Sequence, residues 1–245
     1  MLIERLKAAP CHVPAGLTIT RTWRGSFCRA SLHNATSAPI AVPEIVLFDL
    51  AHGFSGETPL YGEAFQMLSQ LAGTLESPTD VGYYPDRTHY KIPEPENLRT
   101  SYGLLMLAPE SQERVLLGFT SCRRFIGRFS FDANRLRISL DTENKTIAPS
   151  ERWELEEFLV ATGNDREALL DKLTRSIAKH HPKLTYSPVP TGWCSWYCFG
   201  PEVTDKNIYD NLEWAAKNLP SLRYIQIDDG YQPHMGDWQI GRAHV

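Results

Sequence analysis

Two adjacent carboxylates, Asp228 and Asp229, follow the strand-like run Leu222–Ile227 and stand directly before Gly230. A buried parallel strand delivers acidic side chains in this way to a site at its C-terminal end. Side-by-side carboxylates accept paired hydrogen bonds from vicinal hydroxyls. Asp-Gly is also a common turn signal, and acids at a strand end are often only solvated. The neighbours favour a site. Gly192-Trp193-Cys194-Ser195-Trp196-Tyr197 precedes the pair, and Tyr231-Gln232 with Gly236-Asp237-Trp238 follows it. Tryptophan faces are apolar platforms for the C–H-rich side of a pyranose. Asp228, Asp229, Trp193, Trp196, Tyr197 and Trp238 are therefore the candidate sugar-binding residues. Neighbours in an extended strand point to opposite faces, which suits two acids poorly for flanking one bond. Where the strand breaks at Gly230 both can lean toward one bound sugar, as hydroxyl ligands rather than a catalytic couple.

The elements that must hold these residues read as a strand–helix–strand unit. Val189–Tyr197 is the expected first strand. Thr204 caps a helix that carries Ile208, Leu212, Ala215, Ala216 and Leu219 on one face, Pro220 stops it, and Leu222–Ile227 is the second strand. Such a unit repeats in (β/α)8 barrels, among other α/β folds.

Upstream the pattern is different. Leu17–Trp23, Phe27–His33, Ile40–Phe48, Ser101–Leu107, Arg114–Cys122, Phe125–Phe131, Arg135–Leu140 and Arg152–Ala161 are short runs rich in β-branched or aromatic residues, with turn residues between them. They predict a large antiparallel sandwich. Ala64–Leu71 is expected to form a helical turn, and Tyr83–Pro95 a long loop dense in Tyr, His and Pro. Asn164 and Glu167 predict a capping box for a helix over 165–180, with Leu169, Leu170, Leu173 and Ile177 inward. Pro182 ends that helix through the residue before it. His180 and His181 fit a helix end better than a metal site. The expected division is 1–162 for the sandwich, 163–190 for a helix and linker, and 191–239 for the α/β part.

Composition narrows the partners. The 245 residues carry a net charge of −4 with no basic block, which points away from nucleic acid and anionic membranes. No apolar run approaches membrane-spanning length, and the first ten residues lack the apolar core of a secretory leader. The five cysteines are scattered, and Cys194-x-x-x-Cys198 lacks metal or redox spacing, so free thiols in a cytoplasmic protein are expected. No cofactor or metal is implied.

The motifs at 192–197, Val203-Thr204, 226–232 and 236–238 together resemble the melibiase-type α-galactosidases, glycoside hydrolase family 36. Gly62-Glu63-Ala64-Phe65-Gln66 with Ser69-Gln70, and Asp86-Arg87-Thr88-His89-Tyr90-Lys91, resemble its N-terminal region more loosely. The resemblance implies an N-terminal β-supersandwich followed by the truncated beginning of a (β/α)8 TIM barrel. It implies retaining hydrolysis of terminal α-D-galactosyl residues of small oligosaccharides, with Asp228 and Asp229 gripping galactose hydroxyls. The aspartate nucleophile and acid/base would come from later strands, beyond residue 245, so the chain alone is expected to be inactive; the full-length protein is compatible with a homo-oligomer. Residues 240–245 depart from the pattern and are expected to be non-native read-through. Two alternatives stand beside this reading. One is galactosyl transfer of the raffinose-synthase type, whose members tend to carry Trp at the place of Tyr231 and an acid at that of Tyr197. The other is a non-catalytic carbohydrate-binding sandwich.

Overall fold

The computed structural model describes residues 2–110, 113–183, 185, 188–234, 236–239 and 241. The chain forms two compact units, Met1–Pro182 and Lys183–Val245.

The first unit opens with α1 (Leu2–Ala8), which buries Leu2 and Leu6 and which the sequence reading did not anticipate. There follow β1 (Leu17–Arg24), β2 (Phe27–Asn34), β3 (Ile40–Ala51), β4 (Leu60–Glu63), β5 (Ser69–Gly73), β6 (Pro78–Gly82) and β7 (Arg99–Tyr102). Then come β8 (Leu104–Leu107), β9 (Arg114–Phe119), β10 (Ile126–Phe131), β11 (Arg135–Ile147), β12 (Arg152–Glu154), β13 (Phe158–Gly163) and α2 (Arg166–His180). One sheet runs β1-β2-β13-β9-β8-β4-β5-β6, with β12 also on β2, and the other runs β3-β11-β10-β7. All the pairings in both are antiparallel.

The two sheets share one core, in which Leu32, Leu105, Leu117 and Phe158 of the larger meet Ile45, Phe48, Phe129 and Ile138 of the smaller. Aromatic rings cross the gap, Phe48 to Phe158 at 5.3 Å and Phe119 to Phe129 at 5.4 Å between centroids. This is the expected β-sandwich. The middle of the larger sheet does not alternate: all of β8 is buried, and so is most of β9. The cause is α2, whose Leu169 and Leu173 cover the outer face over Leu104, Met106, Leu116 and Leu159. A strand covered on both sides needs apolar residues on both. A Cβ on Gly118 would stand 2.7 Å from Leu173 Cδ1, so the helix lies close because Gly118 has none.

Several expected elements are corrected. Ala64–Leu71 holds no helix, only one turn closed by the Ser69 amide on the Gln66 carbonyl at 3.2 Å; β4 ends at Glu63 and β5 begins at Ser69, pairing Gly62 with Leu71. Ser101–Leu107 is broken at Gly103, which takes φ +68°. Arg152–Ala161 is two strands, parted by the buried acids Glu156 and Glu157. The helix cap is Asp165, not Asn164: the Asp165 carboxylate accepts from the amides of Glu167 at 2.9 Å and Ala168 at 3.2 Å. Ile177 is exposed and Ser176 is the buried residue of the last turns. His180 and His181 tie the helix end to the sandwich: the His180 ring lies 2.9 Å from Glu157 Oε1, and His181 Nε2 accepts from the Cys122 amide at 3.2 Å.

The loop over 83–95 carries turns and bends only, with Tyr84, His89 and Tyr90 packed edge to face. The Asp86 carboxylate accepts from the amides of Phe65 at 2.5 Å and Gln66 at 3.1 Å. The two loosely matched upstream motifs thus touch each other.

The second unit holds β14 (Gly192–Cys194), α3 (Trp196–Phe199), a 3-10 turn at Gly200–Glu202, α4 (Asp205–Asn218) and β15 (Tyr224–Gln226). β14 and β15 pair in parallel, Trp193 opposite Ile225 and Cys194 opposite Gln226. Both are shorter than expected, and Trp196 and Tyr197 sit in a helical turn rather than a strand. Thr204 caps α4 with Asn207 in a reciprocal box. Of the expected apolar face Ala215 is buried, while Leu212 and Leu219 are exposed. The read-through expected at 240–245 lies outside the described residues except for Gly241.

Candidate functional site

The βαβ unit brings its two strand ends together. Just past β14, Ser195 is fully buried and acts as a clasp. Its amide donates to the Gln226 carbonyl at 3.1 Å, which continues the parallel ladder. Its hydroxyl accepts from the Asp228 amide at 2.9 Å, which turns the chain beyond β15 toward β14. Gly230 takes φ +102°, and a Cβ there would lie 2.5 Å from Pro201 Cα. Only glycine lets the loop after Asp229 lie against the turn that follows Phe199.

This backbone aims both carboxylates through a set of nearby donors. Asp228 Oδ2 accepts from the Cys194 thiol at 3.2 Å and the Gln226 amide at 2.7 Å, and Oδ1 accepts from the Asp229 amide at 2.7 Å. Asp229 Oδ1 accepts from the Gly230 amide at 2.9 Å and from the Gln232 side chain. A carboxylate has about four lone-pair sites, so among the described residues Asp228 keeps about one open and Asp229 about two, on Oδ2. Donors that favour the anion, the Asp229 amide first and then the Cys194 thiol, hold the Asp228 carboxyl below its ordinary range, and the Gln226 amide adds to this. Held in this form, the Asp228 carboxylate offers acceptors only. It suits a ligand that brings hydroxyl donors.

The aromatic candidates divide. Trp193 is half-buried, with its ring 6.2 Å from Phe199 and tilted 58° to it. Trp196, Tyr197 and Trp238 are exposed, at 41%, 90% and 57%. The Tyr231 hydroxyl donates to the Trp238 carbonyl at 2.6 Å and closes the loop that carries it. Cys194, Ser195, Gln226 and Gln232 position the diacid, and the sequence reading gave them no such role. The signal for the first three lay in the ends of two parallel strands, where Cys194 stands opposite Gln226. Among the described residues no group of three or more His, Cys, Asp or Glu side chains is placed to hold a metal ion. Cys194 and Cys198 are free thiols. No helix among these residues is long and apolar enough to cross a membrane.

No family model matches the chain. Over 109 residues, 41% of the chain and 14% of the relative, it is 28% identical to the Arabidopsis thaliana protein named Probable galactinol–sucrose galactosyltransferase 1. Its fold superposes on TtGalA, an α-galactosidase from Thermus thermophilus solved with p-nitrophenyl α-D-galactopyranoside, with a TM-score of 0.51 at 18% identity over 90% of this chain and 43% of that one. It superposes equally on the galactosidase domain of the α-galactosidase–sucrose kinase AgaSK, TM-score 0.51 at 12% identity, over 94% of this chain and 38% of that one. The chain spans less than half the length of each of these relatives. In its motifs and in its fold, the chain resembles the melibiase-type α-galactosidases of glycoside hydrolase family 36.

Proposed function

We propose that this chain is the N-terminal part of a retaining α-galactosidase acting on terminal α-D-galactosyl residues of small oligosaccharides. The observation that carries the reading is the donor set around Asp228 and Asp229. It fixes two carboxyl side chains at one strand end and leaves acceptor positions for sugar hydroxyls. Exposed Trp196, Tyr197 and Trp238 supply faces against which a pyranose can stack. In this reading the βαβ unit is the start of a (β/α)8 barrel, and the nucleophile and acid/base lie on later strands. Retention needs two carboxyl groups about 5–5.5 Å apart across the anomeric carbon. Asp228 and Asp229 are instead ligands of the galactose ring.

The protein from the complete reading frame, with an aryl α-galactoside, tests this. Asp228→Asn or Asp229→Asn removes a charge-assisted acceptor, and kcat/KM should fall about 10- to 100-fold. Azide should not restore turnover to Asp228→Ala or Asp229→Ala; rescue with a changed product anomer would make one of them the nucleophile. The 245-residue chain by itself should release no nitrophenol above a heat-killed control.

Galactosyl transfer is the second reading, and the similarity to the Arabidopsis thaliana galactosyltransferase favours it. It shares the donor-sugar site, and only the acceptor changes from water to a sugar. Tyr231 and Tyr197, where raffinose-synthase relatives tend to carry Trp and an acid, favour hydrolysis. Product analysis with galactinol and sucrose separates the two: raffinose in excess over free galactose means transfer.

A further inference from the structure

A cleft of about 490 Å³ opens on the first unit where β1, β2, the residues before β13 and the end of α2 meet. Thr22, Arg24, Phe27, Arg29, Glu157, Lys179 and His180 line it. Its one carboxylate is already engaged. Glu157 Oε2 accepts from Arg29 Nε at 2.7 Å, while Oε1 meets Thr120 Oγ1 at 2.8 Å and His180 Nε2 at 2.9 Å. Glu157 is 8% exposed, so its charge is spent on these partners at the base of the cleft.

The cations are not spent. Arg29 uses Nε alone, and its side chain is 73% exposed, which leaves both Nη groups to the cleft. Among the described residues neither the Arg24 nor the Lys179 side chain has a hydrogen-bond or ion-pair partner, and both residues are exposed. Three cations against one satisfied carboxylate give the lining a surplus of about two positive charges. A guanidinium bound at Nε is held in orientation, and its outer N–H groups form a fork matched to a tetrahedral oxyanion. Half-buried Phe27 adds an apolar surface beside it. Positive donors with one apolar wall suit a ligand with a dianionic head and a compact carbon body, and the volume is ample for one.

We propose that this cleft binds a small phosphate ester, its phosphate held by Arg29, Arg24 and Lys179 and its body against Phe27. Every residue involved lies in the first unit, so the proposal stands apart from the galactoside reading.

Calorimetric titration of the purified chain at low ionic strength tests it, with inorganic phosphate, glucose 6-phosphate and glucose as probes. Both phosphates should bind saturably at millimolar or tighter affinity, the ester more tightly, and glucose should not bind. The double variant Arg24→Gln/Lys179→Gln leaves Glu157 and its partners untouched, and should melt like the parent while phosphate affinity falls about tenfold or more. Arg29→Lys keeps a charge beside Glu157 but removes the fork, and should weaken binding several-fold. No saturation below about 50 mM phosphate, or unchanged affinity in the folded double variant, overturns the site. Equal binding of inorganic phosphate and the ester overturns the role of Phe27.

Discussion

Cys194 shows how one atom can matter to a neighbour's chemistry. Its thiol and the Gln226 side-chain amide fill Asp228 Oδ2, so that oxygen is a structural acceptor and the open position is on Oδ1, which accepts from the Asp229 amide. If the proposed function holds, then in the protein from the complete reading frame Cys194→Ser keeps a donor and should preserve kcat/KM within about twofold, whereas Cys194→Ala loses about 0.5–1.5 kcal/mol, a several-fold drop. Equal losses in both variants would mean that the thiol acts by packing. Glu157 is the counterpart in the sandwich. Burial pushes its pKa up, but hydrogen bonds from Arg29, His180 and Thr120 outweigh that and bring it to about 2, from 4.5. A carboxyl with a depressed folded pKa contributes stability that is complete above its unfolded value and is lost as pH falls toward its folded one. Urea midpoints of the parent and Glu157→Gln should therefore differ most above pH 4.5 and converge as pH falls toward 2. A constant gap would remove the charge from the explanation.

At the level of elements, α2 tests the correction to its start. Asp165→Ala removes the acceptor for two free amides and should cost about 1 kcal/mol, while Asn164→Ala should stay within about 0.5 kcal/mol. Thermal melts of the two single variants decide which residue caps. The error is instructive. Asn164 with Glu167 fits the capping spacing, and so does Asp165 with its own amide partners; periodicity places a helix but does not choose between adjacent polar residues. The sandwich was legible because its strands carry β-branched and aromatic runs between turn residues. The break between β12 and β13 was not. Glu156 is satisfied by the amides of Arg124 at 2.8 Å and Phe125 at 3.2 Å, partners that a local pattern cannot reveal. Strands β4, β5 and β6 escaped for a related reason: they are 4 or 5 residues long and carry Gly, Pro, Gln and Asp. In the site, Asp228 and Asp229 were legible as adjacent acids before a glycine. Gln232 and Ser195 were not, since their roles exist only once the two strand ends meet.

For the molecule as a whole, the two units differ in how much holds them. The first encloses a continuous core between two sheets and a second apolar layer beneath α2. The second has a two-stranded parallel pair and a helix on which Tyr209, Leu212 and Trp214 are exposed, as is Leu219 just past its end. Limited proteolysis should therefore cut first between Lys183 and Val245 and leave a resistant product close to 1–182; early cleavage within β8 or β9 would contradict this ordering. The parallel pairing of β14 and β15 has a further consequence, for the order of events during folding. Gly192 must find Tyr224 across the whole intervening helix, a distant encounter whose entropy cost falls due before any contact rewards it. That pairing is what lets Ser195 continue the ladder at Gln226 and accept from the Asp228 amide. The part of the cradle held by Cys194 and Ser195 thus exists only while the two strands are paired, whereas the donors from Gln226, Asp229, Gly230 and Gln232 are local to the turn itself.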